Sequence, residues 1–106
     1  MQTKTSFVLV FGVSPTVRVL DFLIDNQEFD YNLTEIAQGA EVGWTTLHQF
    51  WPGLVKLGLV RQTRTKGRAV LYKLNLENAL VKKLLELDLL ISKQMAISHH
   101  ETVVAA

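Results

Sequence analysis

A chain of 106 residues, 48% apolar and 20% charged, has the length of one domain and an ordinary globular balance, which excludes disorder as the dominant state and two separate cores. It contains no cysteine, which excludes a disulfide framework, a thiolate metal site and a cysteine nucleophile, and fits a reducing, cytoplasmic setting. The formal net charge is +1, yet residues 42–76 hold six basic residues and no acidic one, while the rest of the chain holds five basic and ten acidic residues. Such a one-sided window suggests a local anion-binding face. No run is long and apolar enough to cross a bilayer, and no secretory cleavage pattern is present, so no membrane partner is expected.

Residues 1–6 are polar and are expected to fray. Phe7–Phe11 is a short β-prone apolar run, compatible with a strand, an arm on the core or part of a dimer contact. Ser14-Pro15 starts a helix, an N-cap followed by proline at the first helical position. That helix is expected to reach about Asn26, with Val17, Leu20, Leu23 and Ile24 as its buried stripe. Arg18 and Asp21 lie off the stripe at pairing distance along the helix. Asp21 and Asp25 read as a solvated face. Gln27–Tyr31 is a polar loop, and Asn32-Leu33-Thr34-Glu35 is a capping box that opens a short helix with Leu33, Ile36 and Ala37 inward. Gly39 and Gly43 are expected to bracket a tight turn. A third helix runs from Trp44 to about Leu57, with Leu47, Phe50, Trp51, Leu54, Val55 and Leu57 as its apolar positions and Gly58 as its stop. Pro52 has no N–H to bond back to His48, which predicts a kink or a late start.

Leu59–Thr65 and Arg68–Leu74 are β-patterned and joined through Lys66-Gly67, a hairpin with a basic tip. Val70, Tyr72 and Leu74 should share one face. The last helix starts at Asn78 as N-cap and continues through Ser92, as far as His99. From Leu84 to Ile91 it is apolar on almost every side, and one packing partner cannot cover every face. One side is expected on the domain's own first helix and hairpin. The other is expected on the same helix of a second chain, along a near-heptad seam of Leu80, Leu84, Leu87 and Ile91 that turns polar at Gln94 and Ser98. The chain thus divides into a domain at 1–77 and a dimerisation helix and tail at 78–106.

The order helix, helix, turn, helix, hairpin is that of a winged helix-turn-helix: mainly α with a β-hairpin wing, here followed by a long C-terminal helix. A helix of this kind fits the major groove of B-form DNA, and a basic hairpin beside it reaches a phosphate strand or the minor groove. The acid-free window covers both. The sequence also resembles the winged helix-turn-helix transcriptional regulators of the MarR/ArsR kind, above all the small archaeal versions. The resemblance rests on Phe11-Gly12-Val13-Ser14-Pro15 leading into Val19-Leu20-Asp21-Phe22-Leu23, and on Leu33-Thr34-Glu35-Ile36-Ala37. It continues through Gly43-Trp44-Thr45-Thr46-Leu47-His48, Leu54-Val55-Lys56-Leu57-Gly58-Leu59-Val60 and the hairpin Arg61–Leu74. It departs from the pattern at Gly43, where such proteins often carry a capping serine or threonine.

The resemblance implies that Leu47, Trp51 and Leu54 face the core, and that Trp44, Thr45, Thr46, His48 and Gln49 face bases and phosphates. Gln49 can pair with adenine through both amide atoms. Trp44 would stack on a sugar or a thymine methyl, or staple the helix to the turn. Arg61, Arg64, Lys66 and Arg68 cluster around the wing turn and would meet phosphates. His48 has no ligand-type residue one turn away, and the adjacent His99 and His100 point apart, so no metal is expected. No nucleophile–base set, phosphate loop or glycine fingerprint is present, so neither catalysis nor a cofactor is expected. No effector pocket is legible. The expectation is a sequence-specific double-stranded DNA-binding transcription factor, a homodimer on an inverted repeat. Its rivals are a winged-helix protein–protein interaction module in a larger assembly and a chromatin-type binder with little sequence preference.

Overall fold

The computed structural model of the protein describes residues 5–105, with side chains from 5 to 97. The elements are α1 (Ser6–Phe11), α2 (Pro15–Asp25), α3 (Leu33–Ala40), α4 (Trp44–Lys56), β1 (Val60–Lys66), β2 (Ala69–Leu74) and α5 (Ala79–Ala105). This is a winged helix-turn-helix followed by a long C-terminal helix.

The apolar run at the start is a helix. Thr5 caps it, accepting from the Val8 N–H at 3.2 Å, and its hydroxyl donates to Asp21 Oδ1 of α2 at 2.8 Å. The fraying expected for residues 1–6 therefore does not extend to Thr5 and Ser6; residues 1–4 lie outside the described residues. Helical spacing brings Phe7 and Phe11 to 4.9 Å between ring centroids and buries Phe7 and Val8. Burial and packing override the β-propensity of the individual residues.

In α2 the buried centre is Val19, Leu23 and Ile24, with Val17 and Leu20 only partly covered. The expected Arg18–Asp21 pair does not form: Asp21 takes the Thr5 hydroxyl, and the buried Arg18 Nε has no hydrogen-bond partner. Of the pair expected as a solvated face, Asp25 is exposed but Asp21 is half-buried. With Asp88 of α5 they form a carboxylate cluster in which all three groups are held above the usual Asp range. Loss of hydration is the first cause for each, and mutual repulsion adds to it for Asp25 and Asp88.

The capping box of α3 is complete, with Asn32 Oδ1 accepting from the Glu35 N–H at 2.8 Å and Glu35 Oε1 from the Asn32 N–H at 2.9 Å. Gly39 belongs to α3 rather than to the turn after it. It lies against the Phe22 ring, and a Cβ there would overlap that ring. The turn is made instead by Glu41 in the left-handed region, φ 56°. α4 runs through Pro52 without a break, so the late start does not occur. It ends as a Schellman motif: the Leu59 N–H donates to the Leu54 carbonyl and the Gly58 N–H to the Val55 carbonyl, both at 3.0 Å, with Gly58 at φ 73°.

The wing is a two-stranded antiparallel hairpin with Lys66 opposite Ala69 and a two-residue loop, Gly67-Arg68, whose glycine has φ 62°. A bulge places Thr63 between the pairs Gln62–Tyr72 and Arg64–Leu71. In β2 the buried residues are Leu71 and Leu74, while Val70 and Tyr72 are half-buried, so the single inward face expected for Val70, Tyr72 and Leu74 is not what is buried. Tyr31 adds an isolated bridge to Tyr72, with N–H to carbonyl distances of 2.9 and 2.8 Å. Asn78 caps α5 through the Leu80 and Val81 N–H groups, and Val81 is fully buried in the common core. Beyond that turn α5 packs chiefly on α1.

Candidate nucleic-acid interface

α4 is oriented by its core side. Leu47, Trp51 and Leu54 are buried as expected, and Trp51 lies edge-on to Tyr72 at 5.2 Å. Their burial turns Thr45 and Gln49 outward into solvent, with Thr46 and His48 half-buried beside them. Gly43 precedes the helix and supplies no side-chain cap. The first N–H groups of α4 and the positive end of its dipole are thus left uncapped by any side chain, a setting that favours an anion. Lys56, in the last turn, is the only charged residue of α4.

Trp44 is 57% exposed, and its partner is not the turn. Its ring stacks on His48, with centroids 3.6 Å apart and planes tilted by 31°. His48 Nδ1 lies 2.7 Å from the Trp44 carbonyl. A carbonyl can only accept, so Nδ1 carries the proton and Nε2 is the atom left for another partner.

Arg61, Arg64, Lys66 and Arg68 are all exposed on the wing, but they are not equivalent. Arg64 Nε and Nη2 donate to the two Asp30 carboxylate oxygens at 3.0 and 3.2 Å, and the Thr63 hydroxyl donates to Asp30 Oδ2 at 2.6 Å. These bonds, from Arg64 first and Thr63 second, hold the Asp30 carboxyl at about 2. Arg61, Lys66 and Arg68 make no ion pair among the described residues. Asp30 had no signal in the sequence: it lies outside the basic window, 34 residues from Arg64.

On α5, Leu80 is 52% and Leu87 39% exposed, while Leu84 and Ile91 are half-buried against their own chain. Leu9, Val10, Phe11 and Val13 extend the apolar surface from α1. A groove lined by Val10, Ile91, Gln94 and Met95 runs between the two helices. The side chains of Ser98, His99 and His100 lie outside the described residues. Among the described residues no group of three or more His, Asp or Glu could hold a metal, and no helix is long and apolar enough to cross a membrane.

Among the solved structures similar in fold are the following two. Sso10a-2, a DNA-binding protein from Sulfolobus solfataricus, superposes with a TM-score of 0.53 at 16% identity, over 83% of this chain and 92% of that one. ZitR from Lactococcus lactis, a double mutant in its apo form, gives 0.51 at 18% identity, over 92% of this chain and 68% of that one. No protein-family model and no curated protein sequence matches the chain.

Proposed function

We propose that the protein is a sequence-specific double-stranded DNA-binding transcriptional regulator that works as a homodimer. α4 enters the major groove, with Thr45 and Gln49 on base edges. The wing lies on the backbone or in the minor groove. The observation that carries this reading is a juxtaposition. The uncapped N-terminus of α4, its polar outward face and three unpaired wing cations belong to one acid-free stretch, on a fold similar to that of the DNA-binding Sso10a-2. The motifs quoted above support a place among small archaeal MarR/ArsR-like regulators. The exposed apolar strip of α1 and α5 supports the second copy, whose α5 would cross the first along Leu80, Leu84, Leu87 and Ile91. A two-fold dimer sets its recognition helices about 34 Å apart and calls for an inverted repeat.

Selection of bound fragments from random DNA at physiological salt tests the reading. An inverted-repeat consensus is expected, and Gln49→Ala should cost about 1–3 kcal/mol on it while relaxing preference at one base position. Near-equal binding of all sequences would point to a chromatin-type binder. The exposed Trp44 and Val55 on α4, with Leu57 just after it, favour the protein-docking alternative, which requires no DNA affinity at that salt.

A further inference from the structure

We infer that His48 is a proton-linked contact to a backbone phosphate, positioned by Trp44, so that DNA affinity rises as pH falls. The inference rests on the DNA-binding reading above and adds a regulation to it. α4 has no Lys or Arg before Lys56, so its first two turns bring no fixed charge to the phosphate-lined groove. His48 is the only titratable side chain in those turns, and imidazole is the side chain that gains charge near neutral pH.

Its surroundings decide how that proton is used. The Trp44 carbonyl occupies Nδ1, and the Trp44 ring covers one face of the imidazole. Neutral His48 can present only a lone pair at Nε2, which a phosphate oxygen repels. Protonated His48 presents a charged N–H donor at the same atom without moving the ring. By helical spacing Thr45 and Gln49 take the middle of the exposed face, whereas His48, half-buried, sits toward its flank. A flank residue of a groove-bound helix meets the phosphate wall rather than the base edges. The charged groups on the elements packed against α4 are Arg18, Asp21 and Asp25 of α2, Glu35 of α3, Arg61, Arg64 and Lys66 of β1, and Lys73 of β2. Neither these nor Lys56 of α4 nor Glu41 of the turn makes an ion pair with His48. The proton is therefore left for an outside anion.

The test is duplex binding by fluorescence anisotropy at fixed salt between about pH 5.5 and 8. Affinity should fall by up to about tenfold per pH unit for each His48 engaged. His48→Gln should remove that slope. His48→Lys should bind tightly with no slope, and a His99→Ala/His100→Ala variant should keep it. In the free protein, imidazole nitrogen NMR should find neutral His48 as the Nδ1–H tautomer, and Trp44→Ala should weaken the pH response more than Trp44→Phe. A slope that survives His48→Gln, or an Nε2–H tautomer, overturns this inference and leaves the DNA-binding reading intact. No binding at any pH overturns both. An effect of His48→Gln confined to one base position would make His48 a base reader and overturn the phosphate assignment.

Discussion

Asp30 grips Arg64 of the wing in a two-pronged ion pair, with Nε to Oδ2 at 3.0 Å and Nη2 to Oδ1 at 3.2 Å. The contact ties the loop before α3 to β1 next to the Thr63 bulge. It also removes one cation from the set that can release DNA counterions without first losing a partner.

The wing cations should therefore contribute unequally to the salt dependence of DNA binding. Arg61→Ala and Arg68→Ala are each expected to lower the log–log salt slope by about one unit. Arg64→Ala should lower it by less, and Asp30→Asn, which frees Arg64, should steepen it. Titrations at several salt concentrations measure all four. Equal effects at Arg61, Arg64 and Arg68 would show that the ion pair opens on DNA, and no effect at Arg68 would remove the wing from the backbone.

Stability should pass through a maximum on the acid side of neutrality. The Asp30 carboxyl, at about 2, lies below its ordinary 3.8, so its stabilisation is complete above that ordinary value and fades as pH falls toward 2. Asp21, Asp25 and Asp88 are displaced the other way. Their ionisation costs stability as pH rises through their raised range, and protonation restores it. Asp88→Asn should raise the urea midpoint at about pH 7 and flatten the decline on the neutral side. A lower midpoint at every pH would mean that the Asp88 carboxylate is held by a favourable contact.

Two Gly→Ala changes should act with opposite signs. At Gly39 the new methyl meets the Phe22 ring, which is itself packed 5.1 Å from Tyr31, so a loss of about 1–3 kcal/mol is expected from overpacking. At Gly53, in α4, nothing lies within 4 Å of the added Cβ, so Gly53→Ala should gain about 0.5–1 kcal/mol. Denaturant unfolding of both variants decides the point. A gain at Gly39 would show that Phe22 can swing away at little cost.

The second copy can be tested without DNA. Leu87, 39% exposed in the middle of α5, lies in the expected seam and outside the buried core. Sedimentation equilibrium at micromolar concentration should find a dimer of the 12.0 kDa chain, and Leu87→Asp should return it to monomer with its unfolding midpoint, measured below the dimer concentration, unchanged. A wild-type monomer would end the dimer model and the inverted-repeat expectation together.

Local signals were legible in the sequence. Ser14-Pro15, the Asn32/Glu35 box, Gly58 and Asn78 each mark a helix boundary that the structure places within a residue or two, because a cap is a bond between residues two to five apart. The inward positions of α4 and the existence of the hairpin followed from periodicity for the same reason. Tertiary contacts decided the rest. Phe7–Phe11 is helical because α5 covers its inner side, and α2 buries Val19 because its neighbours approach from that direction. Gly39 is required by a ring 17 residues earlier in the chain, and of Val70, Tyr72 and Leu74, expected on one face, only Leu74 is buried, together with Leu71. At the candidate site, the exposed wing cations were evident from composition. That Asp30 claims one of them was not, because pairing across the fold leaves no trace in spacing.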